Sequence, residues 1–332
     1  MVKDVKVVID LVKPIGSIGF GCPLILEENA TPEKAYAEYS SMDDIVTAGY
    51  VTNSSVYKTA QLMFMQAHAP RKIAICSTTG KAQAWLAIQE NVSKDWRQLV
   101  VVNGKNTETP TEVPEIMKAI EAQQKYPKIY FANLPFDDET MIVKNDIERT
   151  LLCYYTPTED VPCPVAAIAG EVGGLAIGSY TINNLVVKGI KPLELSESEV
   201  DAIHKKGGVT MILSAGDCVV SEGKAAGGGF IDNTDNNDYI KQQLEYKTQK
   251  VFNNNLKIPY TNVGIALLEA AAIEVMTDAM NKTIIESFTV NYMLREDVSD
   301  SDRAERRYIG GNIQYSMAGA IHNIEIKCEC KL

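Results

Sequence analysis

The chain has 332 residues, a formal net charge of −11, 45% hydrophobic residues and 23% charged residues. That length accommodates two domains with a sizeable core, and no apolar run reaches the ~20 residues of a membrane-spanning helix. An acidic chain with no basic cluster longer than Arg306-Arg307 repels phosphate backbones, so sequence-independent nucleic-acid binding is not expected.

The first residues, MVKDVKVVIDLVKP, are charged and alternating. They lack the apolar block and cleavage site of a signal peptide, which predicts a protein made and kept in a cytoplasm. The seven cysteines are scattered, and Cys328 and Cys330 are the only close pair. One intervening residue is too few for a zinc-binding pair and no second pair follows, so reduced, mostly buried thiols are expected.

Residues 3–12 alternate, with Val5, Val7, Ile9 and Leu11 on one face and Lys6 and Asp10 on the other, which predicts a half-buried strand. Gly16, Gly19 and Gly21, with Pro14 and Pro23, lead it into a loop. From there to about residue 195, helices and strands alternate. The pattern predicts a helix over 32–39 opened by Pro32, a short helix through 46 capped by Ser41, and a helix over 56–68. A strand at 72–76, a helix at 81–91 and a strand at 99–102 come next. A helix at 112–124 has Pro114 in its first turn, and is followed by a strand at 128–132, a helical stretch at 142–149 and a strand at 151–155. A glycine-containing helix at 164–176 ends the series. Such alternation implies an α/β layer with a partly parallel sheet.

The pattern changes after residue 196. Ser196 caps a helix over 197–205 with Glu199 at the capping-box position, and Gly207-Gly208 ends it. Segments 209–214 and 218–221 make a hairpin. Long helices follow at 237–252 and 263–280, joined by a turn at 259–262, and then a strand at 284–293. An acidic turn at 297–305 is accompanied by Arg303, Arg306 and Arg307. The last segment, 320–332, is the most regular. His322, Ile324, Ile326, Cys328, Cys330 and Leu332 share one face, and Asn323, Glu325, Lys327, Glu329 and Lys331 share the other. A regular strand at each end needs a partner for its backbone groups.

Motifs for chemistry are incomplete. Ser77-Thr78-Thr79-Gly80-Lys81 follows a strand and precedes a helix, but Ala82 and the missing first glycine break the P-loop pattern, leaving an N-cap and turn. An α/β enzyme binding a nucleotide there is the rival reading. The glycines of GEVGGLAIG (170–178) suit close packing. There is no GxSxG, and His68, His204 and His322 stand in structural or surface contexts. Asp232, Asp235 and Asp238 resemble an EF-hand fragment without its closing glutamate; loop turns and a helix N-cap at Asn236 or Asn237 account for them. No catalytic residue, cofactor or metal is predicted.

Three segments carry a resemblance. GGGFIDNTDNNDYIKQQLE (227–245) looks like the entry to the long helix of contractile phage tail sheath proteins and R-type bacteriocin sheaths. NNLKIPYTNVGIALLEAAAIEVMTDAMNK (254–282) resembles that family's "k-I-P-Y-t-d-x-G" turn and following helix. DVSDSDRAERRYIGGNIQYSMAGAIHNIEIKCECKL (297–332) resembles its "s-x-x-D-R-a-x-R-x-y" segment and terminal strand, and YVTNSSVYKTAQLMFMQAHAPRKIAI (50–75) is loosely similar to an N-terminal stretch. Many sheaths carry an arginine just before the long helix, where this chain has Phe230-Ile231-Asp232.

The resemblance implies an α/β plus α+β fold: an N-terminal arm (1–24), an outer α/β domain (25–195), a C-terminal α+β sheath core domain (196–312) and a C-terminal arm (313–332). It implies a non-enzymatic structural subunit that polymerises by exchanging strands between copies. The strands would present Val5, Val7, Ile9, Leu11, Ile324, Ile326, Cys328 and Leu332. Arg303, Arg306 and Arg307 would lie at a subunit or tube contact. The implied partners are further copies in stacked hexameric rings or a helix, a tail tube protein, and baseplate and tail terminator proteins, with neither nucleic acid nor membrane. The implied location is a virion tail assembled in a bacterial cytoplasm. Another self-assembling component, such as a tube, is the alternative.

Overall fold

The computed structural model describes residues 20–30, 32–103, 113–123, 125–136 and 146–329, with the side chains of 81–83 left aside. Its first elements are β1 (Leu24–Glu28), β2 (Lys34–Tyr39), α1 (Met42–Thr47), α2 (Ser55–Phe64), β3 (Ile73–Ser77), α3 (Lys81–Asn91), β4 (Gln98–Asn103), α4 (Val113–Glu121), β5 (Ile129–Leu134), β6 (Thr150–Tyr154), α5 (Ala166–Gly174), α6 (Glu197–Lys205) and β7 (Gly208–Val209). The seven strands form one sheet in the order β2-β3-β1-β4-β5-β6-β7, parallel except for β2 at the edge.

The central strands read as continuous apolar runs because helices cover both faces. Alternate residues then feed two cores. Ile25, Ile75, Val100, Phe131 and Leu151 face α2 and α5, while Leu24, Leu26, Val101, Tyr130 and Leu152 face α3, α4 and α6. α2 and α5 approach closely at Gly170, where an added Cβ would lie 2.6 Å from Met63 Cα. The glycines of 170–178 therefore serve packing.

Two expectations change here. Residues 32–39 are not a helix: 34–39 form β2, which pairs antiparallel with β3. The KAYAEY run has exposed Ala35 and Glu38 between half-buried residues and a register break between Lys34 and Ala37, irregularities an edge strand accommodates, and sheet pairing overrides its mild helix propensity. Residues 146–149 are not helical, and the rest of the stretch expected to be helical at 142–149 lies outside the described residues.

Beyond α6, β8 (Met211–Ser214) and β9 (Asp217–Val220) form a hairpin whose central residues Ala215 and Gly216 have φ of 51° and 98°, the geometry of a tight turn between twisted strands. Val209, Met211, Val220, Ala225 and Ile231 join the first core and Ile203 the second, so the α/β core continues past residue 195.

The remaining elements are α7 (Ile231–Asn254), α8 (Asn262–Asn281), β10 (Ile285–Tyr292), a 3₁₀ turn (Arg295–Asp297), α9 (Asp300–Ala304) and β11 (Gly311–Met317). β10 and β11 make an antiparallel pair. A third core of Tyr239, Ile240, Met276, Ala279, Ile284 and Ile285 joins α7, α8 and the hairpin, and Phe20 packs into it. The strand expected at 320–332 corresponds to no strand among the described residues 318–329; the pairing strand is β11, which ends at Met317, before the expected strand begins. Residues 320–329 pair with no strand among the described residues. The fold is mixed α/β.

Candidate assembly interfaces

The β10–β11 hairpin lays one face on the helices. Val290 opposes Ile313 and Phe288 opposes Tyr315 in register, and Phe288, Val290, Ile313 and Met317 reach the third core. The opposite face carries exposed Ser287, Thr289, Asn291 and Gln314. The sheet has only these two strands, so among the described residues neither outer edge is paired. Open edges present rows of backbone donors and acceptors to an incoming strand.

The segment after β11 is held at two points. The Ala318 N–H donates to the Ile284 carbonyl at 3.0 Å. The His322 ring lies edge-on to Phe230 with centroids 4.9 Å apart, its Nε2 is 3.1 Å from Thr181 Oγ1, and its Nδ1 is 3.7 Å from Glu222. Beyond that anchor the residues run free over the surface. Ile324 and Ile326 are each 78% exposed, and Cys328 is exposed with a free thiol. With Ile321, 84% exposed, they leave an apolar stretch open on the surface. Leu332 and the N-terminal candidates Val5, Val7, Ile9 and Leu11 lie outside the described residues.

The arginine segment divides. Arg303 pairs with Asp300 and donates to the Arg295 carbonyl at 2.9 Å. Arg307 donates to Asp302 at 2.6 and 2.9 Å, and Asp302 also accepts from Ser299 at 2.6 Å. Hydrogen bonds from Ser299 and Arg307 hold the Asp302 carboxyl below its usual value. Arg306 is exposed, with a left-handed φ of 56°, and makes no ion pair among the described residues. It borders a groove of about 420 Å³ lined by Phe252, Ile258, Tyr260, Tyr292, Tyr308 and Ile309. The Tyr292 and Tyr308 rings stack there at 5.9 Å.

The groove's floor explains the 257–264 motif. Thr261 caps α8, its hydroxyl accepting from the Gly264 N–H at 3.3 Å. A Cβ at Gly264 would stand 2.0 Å from the Pro259 carbonyl oxygen, so only glycine lets the chain fold back onto the helix.

A buried ionic joint connects α7 to the sheet. Arg97, 1% exposed and just before β4, donates to Asp235 at 2.7 Å and to Asp238 at 2.6 Å. Arg149, just before β6, donates to both oxygens of Asp238 at 2.5 and 2.9 Å, and the Tyr180 hydroxyl donates to Asp235 at 2.6 Å. Burial pushes the Asp238 carboxyl up, but hydrogen bonds from Arg149 and the charge of Arg97 outweigh it and hold it below its usual value. The Asp232–Asp238 run is thus not a loop or cap: α7 begins at Ile231 with Phe230 at its N-cap, and the acids sit within its first two turns. Sequence reasoning missed this joint. The i, i+3 spacing of Asp235 and Asp238 was its only local signal; the arginines come from far upstream.

Elsewhere, Ser77–Lys81 leads from β3 into α3, with Gly80 as an N-cap that makes no side-chain cap bond. His68 pairs with buried Glu171 at 2.5 Å, and His204 Nε2 is 3.0 Å from Ser221 Oγ. Cys22, Cys76, Cys153 and Cys163 are buried free thiols. Among the described residues no group of three His, Cys, Asp or Glu is arranged to hold a metal, and no helix is long and apolar enough to cross a membrane.

No family model matches the chain, and no curated protein sequence matches it. Solved structures do. The helical sheath of the anti-feeding prophage in its contracted state superimposes with a TM-score of 0.69 at 11% identity, covering 99% of each chain. The sheath complex of the extracellular contractile injection system PVC, also contracted, gives 0.68 at 10% identity over 94% of this chain and 92% of that one. A sheath tail protein from Desulfitobacterium hafniense gives 0.60 at 9% identity over 86% and 93%. The chain has the contractile sheath fold. The likeness to the first of these structures leaves out almost nothing of either chain.

Proposed function

We propose that this protein is the structural subunit of a contractile tail sheath and works by assembly, not catalysis. The observation that carries the reading is the end-to-end likeness to sheath chains, joined to a two-stranded hairpin with open edges beside a free apolar segment. In this reading residues 320–332 of one copy add a strand to the hairpin of another, Ile324, Ile326, Cys328 and Leu332 giving the fit and main-chain hydrogen bonds the linkage. The N-terminal arm, through Val5, Val7, Ile9 and Leu11, does the same at the other edge.

The unit from α7 to β11 faces an inner tail tube, with Arg303, Arg306 and Arg307 near that contact, and the α/β unit faces outward. Copies stack as hexameric rings or a helix between a baseplate and a terminator, in a tail built in a bacterial cytoplasm. Contraction is rigid-body rotation of subunits about tethering strands.

Electron micrographs of the purified protein test this. Wide hollow cylinders are expected. A thin tube, a closed shell, or a monomer that never polymerises at high concentration defeats it. Replacing Arg306 and Arg303 together with alanine is expected to weaken assembly around the tube; assembly equal to the parent at raised salt removes them from the contact.

A further inference from the structure

A second cavity lies nearer the N-terminal end of α7, beside the residues that lead into β4 and β5. It measures about 220 Å³ and is lined by five cationic side chains, Lys94, Arg97, Lys125, Lys128 and Lys241, but only two carboxylates, Asp238 and Glu245. That excess is unusual on a chain of net charge −11. Asp238 is already committed to Arg97 and Arg149, so it has little left to offer the lysines.

Lys128 forms the cavity's inner wall and is 4% exposed. Its ammonium donates to two neutral acceptors, the Lys94 carbonyl at 3.0 Å and the Trp96 carbonyl, and lies 4.4 Å from the centre of the Trp96 ring. No carboxylate comes within ion-pairing distance of Lys128, Lys94 or Lys125 among the described residues. Buried charges are ordinarily paired, and among the described residues no carboxylate forms an ion pair with Lys128. Burial, and then the neighbouring charge of Arg97, drive the Lys128 amine down to about 7, the response of a cation without a counter-ion. The volume equals that of several waters, at ~30 Å³ each, enough for a tetrahedral or carboxylate oxyanion with part of its hydration.

We propose that this cavity is an oxyanion-binding site in which Lys128 is the buried floor and Lys94 and Lys125 the exposed rim. The oxyanion is either free phosphate-class anion or an acidic side chain of a second copy; both present the same oxygens, and only the second source rests on assembly.

The test uses the full chain in oxyanion-free chloride buffer. Calorimetric titration with inorganic phosphate is expected to give saturable one-to-one binding, weakened at least tenfold in the double variant Lys94→Gln, Lys125→Gln. Both residues are exposed, so the variant should melt like the parent. If phosphate does not bind but Lys94→Glu with Lys125→Glu abolishes assembly, the oxyanion is a neighbour's carboxylate. Phosphate binding unchanged in the glutamine variant overturns the proposal. So does absence of phosphate binding together with normal assembly of the glutamate variant.

Discussion

Single residues in this protein carry constraints that burial alone does not convey. Gly264 is the clearest, because a methyl group there meets the Pro259 carbonyl oxygen at 2.0 Å. Gly264→Ala is expected to destabilise the α7–α8 turn by about 1–3 kcal/mol, read as a lower urea midpoint; an unchanged midpoint means the turn opens more easily than its geometry implies. Lys128 gives a pH-dependent case. Its amine ionises near 7 when folded, against 10.5 for the ordinary side chain. Between those values the unfolded chain holds a proton the folded chain lacks, so this residue makes stability rise with pH from about 7 to 10.5. Below that window its penalty is full and constant. Lys128→Met removes the dependence. The stability of the parent minus that of the variant is expected to increase across the window in oxyanion-free buffer, and a flat difference would mean Lys128 keeps its proton when folded.

At the scale of elements, the segment after β11 matters most. Apart from the Ala318 hydrogen bond and the His322 anchor it contributes little burial: Ile321, Ile324 and Ile326 are 84%, 78% and 78% exposed. A chain ending at Gly319 is therefore expected to fold and melt nearly as the parent does, yet to remain a soluble subunit that builds no cylinders. An aggregated product would show that the segment completes the subunit's own core, and normal cylinders would show that it is dispensable. Each main-chain hydrogen bond nets only about 0.5–1.5 kcal/mol, so a linkage of this kind draws its strength from several bonds plus the buried isoleucines.

Elements also differ in how far the sequence exposes them. The buried strands β3 to β6 are legible because two covered faces demand unbroken apolar runs. β2 is not, because a sheet edge leaves half its residues polar and Lys34–Tyr39 then suits a helix equally. The start of α7 is hidden for a different reason: the Asn- and Asp-rich run 232–238 has the composition of a loop, and only Arg97 and Arg149, brought near by the sheet, make it helical and buried. In the candidate interface, the alternation of the donated face is readable, since Ile324, Ile326 and Cys328 announce it. The proposed accepting edge at β11 is not, because the exposed face there is polar, Asn312, Gln314 and Ser316 standing opposite Asn291, Thr289 and Ser287.

For the whole molecule, the ionic joint is the buried polar link between α7 and the sheet. Asp235 is 1% exposed and bonded to Arg97 and Tyr180. Asp235→Ala leaves a buried guanidinium short of its partner, a loss of about 3–5 kcal/mol, and is expected to turn a single calorimetric transition into two, with the α7–β11 unit melting first. A single transition at the parent's temperature would show that apolar contacts such as Phe20 on Tyr239 suffice to hold the units together.

The same joint has a thermal consequence. Hydration of charged groups grows less favourable on heating, so the cost of keeping Arg97 and Asp238 away from water shrinks as temperature rises, while apolar burial gains little more. The seam between the two units should thus hold comparatively best when the solution is hot, and cold is where it should first loosen.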